Sequence, residues 1–457
     1  LPADADPLDV RYNVINWVHR STRGWSYGAS VTDPRTGEII KGSVLLGSLR
    51  IRQDVLLARG LMAEYDNLDP KTSPSLMALA RIRQLSAHEV GHTLGLDHNM
   101  AASTTSRASV MDYPAPYVKI VDGKLDLSEA YTTGVGAYDV AAIRYAYAPV
   151  ANEAELEALA RAVPRFVSDP HSREVGNAHP YGSVWDNGAD PVAMLRHEIE
   201  VRRIALAQFG LRNIDEGRPL SALEEVLLPL YLHHRYQLEA AAKSIGGVDF
   251  SYAVKEASTA APVQRVVPRA QQREALAAVM ATLEPEFLEI PQRIVELIPP
   301  PSYASGDANT EVFPRHTSPV FDPIAAAMTS ADITISALLD PARAARLTQQ
   351  RDNLTFREVT DALIANAARS GTITRATRTL LVTRLAALAA DRETAPQVRA
   401  EASDALRRLA ASLTATADAS EAAHRRMTRD DIERFLDRPA GAWEPLQMPA
   451  VPAGPPI

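Results

Sequence analysis

The stretch HEVGHTLGLDH, His88 to His98, carries three histidines and a glutamate at spacings that can build a metal site. His88 and His92 are one helical turn apart, so on a helix both imidazoles leave the same face and can converge on one ion. Glu89 is rotated by about 100° from His88. That keeps its carboxylate off the ion but close to a water held there, where a general base is needed. Gly95 ends the helix where a left-handed residue is cheapest, and the sharp turn that follows can return His98 as a third ligand. Three protein ligands and one open position are what a tetrahedral catalytic zinc requires. The five fixed positions of H-E-x-x-H-x-x-G-x-x-H arise by chance in roughly one random chain of this length in 10⁴ to 10⁵. A shared ion is therefore favoured over an ordinary histidine-bearing helix.

The eleven-residue pattern resembles that of the metzincin metalloproteases, and a second segment is similar as well. SVMDYP, Ser109 to Pro114, resembles the metzincin Met-turn, which implies that Met111 lies beneath the zinc histidines as an apolar floor. On its own Met111 would read as core packing. The Ser-x-Met-x-Tyr form is similar to astacins and serralysins, which implies a place near the metal for Tyr113 and a part in stabilising the tetrahedral intermediate. GVGAYDVAAIRYAY resembles the helix that closes metzincin catalytic domains, with Asp139 read as an N-cap rather than a catalytic group. Upstream, WSYGASVTDPRTGEI is placed like the metzincin edge strand and its hairpin. Tyr27, Gly28, Ala29, Ser30 and Val31 are then candidates for the strand along which a peptide pairs main chain to main chain. Pro114 to Tyr117 are the implied S1′ wall.

Through DPRTGEI, GLDHNMAAS, SVMDYP and YDVAAIRYAY the chain resembles large bacterial metzincin-like zinc proteases with a helical C-terminal extension. The resemblance implies Zn2+ as cofactor, a protein or peptide substrate, and a secreted, periplasmic or cell-envelope location. In metzincins a strand, a long helix and another strand precede the segment matched here by RYNVINWV. Little chain precedes it in this sequence, so the expectation is a catalytic domain truncated at its N-terminus.

The elements that must position these residues can be read from punctuation and periodicity. Asn13–Val18 and Ile39–Leu46 are β-branched, apolar strand segments, and TDPRTGE ahead of the second carries a turn signal. Ser73-Pro74 is an N-cap and first-turn pair, and no strong breaker follows before Gly95, so one long helix should end near Leu94. A second helix covers Tyr138–Tyr147, and a boundary follows near Pro149. Beyond it the spacing predicts helices from Asp190-Pro191 to Gly210, through SALEEVLLPLYLHHRYQLEAAAKSI to Gly246, and through TFREVTDALIANAARS to Gly371. The fold class is α+β, a zincin-like domain of mixed sheet and active-site helix over 1–150 followed by a mostly α-helical region. That region divides into 151–298 and 322–440 about a Pro-rich linker at 299–321, and 441–457 is an expected disordered tail.

Composition bounds the rest. A chain of 457 residues should hold two or three domains. The formal charge of -8 is mild, and no basic run suggests a nucleic-acid groove. No apolar run approaches the roughly 18 residues of a membrane span. The absence of cysteine leaves His, Asp, Glu and Tyr as the plausible ligands. His233-His234 could be mistaken for a ligand pair, but adjacent helical residues point about 100° apart, so packing is the better reading. WDNGAD, with Asp186 and Asp190, lacks the terminal glutamate of a calcium loop and reads as a turn into a helix. His19, His171, His179, His197, His316 and His424 show no metal-ligand spacing. The function these features favour is a zinc endopeptidase with Glu89 as general base. The alternative is a non-catalytic binding or assembly protein on a zincin scaffold.

Overall fold

A three-stranded sheet carries the N-terminal part, in the order β1-β3-β2. β1 (Val14–Val18) runs parallel to β3 (Ile39–Gly47), and β2 (Tyr27–Thr32) pairs antiparallel with β3. The computed structural model describes all residues except 1, 3, 20–24, 63–73, 256–261, 303–310 and 439–457. Ser73 and the expected disordered tail thus lie outside the described residues. The β2–β3 turn forms as its sequence asks: Asp33 accepts from the Arg35 N–H at 2.8 Å, and Gly37 takes a φ of 74°.

Helix α2 (Pro74–Thr93) crosses the sheet, with Val44 and Leu46 of β3 packed on its Leu85. Two glycines set how closely strand and helix approach. A Cβ at Gly28 would sit 1.9 Å from the carbonyl oxygen of Glu89, and one at Gly42 would sit 3.1 Å from Thr93 Cβ. Behind α2 lies α1 (Leu49–Leu61), a helix the sequence reading missed. Ser48 occupies its N-cap position but makes no capping hydrogen bond, and its first turn has no acidic residue, so the start signals are weak. Tertiary packing holds it instead. Leu57, Ala58 and Leu61 enter a core shared with Met77 of α2.

Four further helices surround this unit: α3 (Ala137–Tyr147), α4 (Glu153–Arg161), α5 (Pro191–Gln208) and α6 (Ala222–Tyr231). The segment expected to be one helix as far as Gly246 is broken into α6 and α7 (Arg235–Ala242). The break falls just after Tyr231, where the His233 and Arg235 N–H groups bond three residues back, to the Leu230 and Leu232 carbonyls at 3.1 Å, in place of four. Gly246 still closes the segment, at a φ of 63°. From Pro323 to Asp437 the chain is helical with short connections. The main core is continuous from Leu57 of α1 through Leu195 of α5 to Leu338, Leu406 and Phe435. The described part of the Pro-rich stretch belongs to that core. Phe313 and Phe321 are buried in it, and Arg315 lies 2.7 Å from the buried Glu224.

Candidate metal centre

The end of α2 builds the centre. Gly95 adopts a φ of 82°, its N–H donates to the His92 carbonyl at 3.0 Å, and the Leu96 N–H reaches the Gly91 carbonyl at 3.1 Å. This is a Schellman termination, with Gly95 in the left-handed position that only glycine takes without cost. The chain then doubles back and carries His98 to the two helical histidines. The three Nε2 atoms lie 3.0, 3.2 and 3.3 Å apart. Among the described residues, these histidines are the one group of three His, Asp or Glu side chains whose ligand atoms converge in this way.

Hydrogen bonds at the back of the rings determine what the front offers. His88 Nδ1 lies 2.5 Å from the Val110 carbonyl oxygen and His92 Nδ1 lies 2.8 Å from that of Leu96. A carbonyl only accepts, so each Nδ1 carries the proton and each Nε2 presents a bare lone pair to the same point. Burial holds His88 well below the ordinary imidazole range and lowers His92 too, with the neighbouring imidazoles acting in the same direction. Converging lone pairs repel unless a cation sits among them. A tetrahedral ion with bonds of about 2.0–2.1 Å separates its nitrogens by roughly 3.3 Å, which matches the spacing here. The residues fit zinc. His88 is buried while His92 and His98 are partly exposed, so the cluster reaches the surface.

Met111 is fully buried against α2, where a Cβ at Gly91, the residue before His92, would come 2.3 Å from its sulfur. The turn that carries Met111 is held by one carboxylate. Asp139 accepts from Ser109 Oγ and the Val110 N–H at 2.8 Å, from Gly136 N–H at 2.6 Å and from Met111 N–H at 3.3 Å. The expectation that Asp139 is an N-cap is corrected by this geometry. Gly136 is the N-cap of α3, and Asp139, three residues on, reaches back to it and across to the Met-turn. The Gly-x-x-Asp spacing ahead of an apolar run was the available signal. Asp139→Ala should destabilise the fold by roughly 3–5 kcal/mol, because several buried donors lose their acceptor together. Urea denaturation measures this, and a loss under about 1 kcal/mol would show that the turn stands without Asp139.

Glu89 is buried beside His88. Its carboxylate accepts from the Gly28 N–H of β2, and burial pushes it up to about 7 against the opposing charge of Arg81. Tyr113 packs its ring 4.6 Å from His98 and 5.2 Å from His88, centroid to centroid. Burial pushes its hydroxyl up to about 12, and Arg173 donates to its oxygen at 3.3 Å. β2, with Tyr27 to Val31, is an edge of the sheet beside this cluster.

A family model described as Met-zincin matches residues 70–373, more than half of the chain. The chain belongs to the Met-zincin family. No curated protein and no solved structure matches it. The family suggests zinc-dependent metalloprotease activity, and its match takes in α2, the triad, the Met-turn and much of the helical region.

The other sequence candidates have structural positions in this Met-zincin. His234 is fully buried with its ring 4.7 Å from Phe287, and His233 Nε2 lies 2.7 Å from Glu198 Oε2, so the two rings have separate neighbours. Asp190 caps α5 by accepting from the Val192 and Ala193 N–H groups at 3.0 Å, while Asp186 is buried. Immediately after Tyr113, Pro114 and Pro116 form one wall of a cleft. Trp185, Leu228, Leu232 and Tyr236 line it from the helical region. No spacing in the sequence connected those four residues with the Met-turn. No helix among the described residues is long and apolar enough to cross a membrane.

Proposed function

We propose that this Met-zincin is a zinc endopeptidase, with His88, His92 and His98 as ligands and Glu89 as general base. The observation that carries the reading is the convergence of the three Nε2 atoms beside the buried Glu89 carboxylate. Zinc, when bound, supplies a Lewis acid that makes water acidic near neutral pH and polarises the scissile carbonyl. Glu89 takes the proton of the attacking water on its carboxylate and passes it to the leaving amine nitrogen. An affinity near neutrality suits both transfers. Tyr113 donates its hydroxyl hydrogen bond to the carbonyl oxygen as negative charge develops there. Tyr27 to Val31 pair with the peptide as an added strand, which orients the scissile bond.

The cleft beyond Pro114 takes the side chain on the amine side of the scissile bond, and its lining by Pro114, Trp185, Leu228 and Leu232 favours an apolar or aromatic residue. Narrowing it with Ala115→Phe should lower the kcat/KM preference for such residues over alanine by at least about tenfold. Cleavage assays on matched peptide pairs read this ratio, and an unchanged ratio would remove the cleft from the specificity argument. The main test is mass-spectrometric cleavage profiling of a mixed peptide library by zinc-loaded protein, run beside Glu89→Ala. Internal cleavage that disappears in the variant is expected. No cleavage by a protein with stoichiometric zinc would overturn the reading in favour of a scaffold that binds without cutting.

A further inference from the structure

His88 and His92 each have a main-chain carbonyl behind the ring, and His98 has a carboxylate. Its Nδ1 faces Asp169 Oδ2 at 3.6 Å while its Nε2 joins the triad. Asp169 Oδ1 lies 2.8 Å from Arg173 Nε, and the Arg173 guanidinium sits 5.1 Å from the centre of the Tyr113 ring and donates to its oxygen. One carboxylate and one guanidinium therefore join the third histidine to the tyrosine packed on it. Both residues lie downstream of residue 150, outside the zinc motif and the Met-turn.

The segment that carries them is fixed to the metal loop. Asn99, next to His98, accepts from the Val167 N–H at 3.0 Å and donates to the Arg165 carbonyl at 2.8 Å, and the Met100 N–H reaches the Val167 carbonyl at 3.0 Å. On its other side the Ser172 carbonyl accepts from the buried Lys243 Nζ. Asp169 is thus held on a braced turn. A carboxylate behind a ligating histidine fixes the Nδ1–H tautomer, aims the ring and raises the basicity of Nε2.

We propose that Asp169 and Arg173 are positioning residues of the metal centre, Asp169 orienting His98 and Arg173 locking Asp169 while tying Tyr113 to the same unit. The proposal rests on the triad's being a zinc site, as read above, and not on peptide cleavage. The helical region then does more than enclose the catalytic part, since it supplies the third ring's partner.

The test is a double-variant cycle on zinc affinity in the full chain, read by competition with a chromophoric chelator. Asp169→Ala should bind zinc about 10–100-fold more weakly. Asp169→Asn, which keeps an acceptor but not the charge, should fall between it and the wild type. Arg173→Ala should weaken binding by a smaller factor and add nothing in the Asp169→Ala background, because its effect passes through Asp169. Cobalt-substituted protein should show a shifted visible spectrum in Asp169→Asn, a change in the ligand field that a merely structural role would not produce. Unchanged affinity in Asp169→Ala, or additive losses in the double variant, overturns the proposal. If Asp169→Ala fails to fold, the near-isosteric Asp169→Asn decides by the same two readouts. A wild type that binds zinc tightly but cuts no peptide would end the endopeptidase reading and leave this one standing. A wild type that binds no zinc would end both.

Discussion

Glu89→Ala is expected to retain zinc and to lose about 10²- to 10⁴-fold in kcat. The two effects separate because the motif gives adjacent residues different tasks. His88 turns its Nε2 to the triad, whereas the Glu89 carboxylate accepts from the Gly28 N–H of the edge strand and contributes no ligand atom to the converging group. Removing it leaves the three imidazoles and their carbonyl partners at Val110 and Leu96 untouched. What disappears is the group proposed to move the proton. Burial raises that carboxyl to about 7, and a base works only when deprotonated, so kcat/KM should fall as pH drops through the acid limb. A cation nearby favours the carboxylate, which places that limb at or below about 7 in the zinc-loaded protein. Peptide turnover and zinc content measured on one preparation check the prediction. Wild-type turnover by Glu89→Ala would exclude Glu89 as the base.

His98→Ala should weaken zinc binding by more than the roughly 100-fold that loss of an outer partner costs, and activity should go with it. Two nitrogens one turn apart on α2 remain, but nothing closes the third side of the polyhedron. The same change has a thermodynamic readout. Zinc at about 1,000 times its Kd stabilises the folded chain by roughly 4 kcal/mol through mass action, so the metal raises Tm in the wild type and a chelator lowers it. In His98→Ala both responses should be nearly abolished. Zinc stoichiometry and melting with and without metal test this, and unaltered binding would mean that another ligand set holds the ion.

These outcomes depend on parts of the site that were legible to different degrees. Helical spacing brings His88 and His92 to one face whatever surrounds them, and Gly95 terminates α2 through bonds spanning only six residues, Gly91 to Leu96. The strand and turn signals around TDPRTGE, the Asp190-Pro191 helix start and the stop at Gly246 are likewise local and appear in the fold. Elements whose stability comes from neighbours were less visible. α1 begins without a capping hydrogen bond and is held by the shared core, and the stretch ending at Gly246 breaks into two helices within it.

The sequence by itself therefore determined which residues could meet on one ion, because helix period and a glycine-dependent reversal are properties of a few consecutive residues. Only the tertiary structure decided how those residues are held. The Val110 carbonyl that sets the tautomer of His88, the Asp139 carboxylate that secures the Met-turn, the Asp169–Arg173 pair behind His98 and the Trp185 wall of the cleft all come from distant segments. Apart from the local Gly136-x-x-Asp139 spacing, such partners leave no spacing signal, since the hydrogen bonds and contacts that select them exist only once packing has brought the segments together.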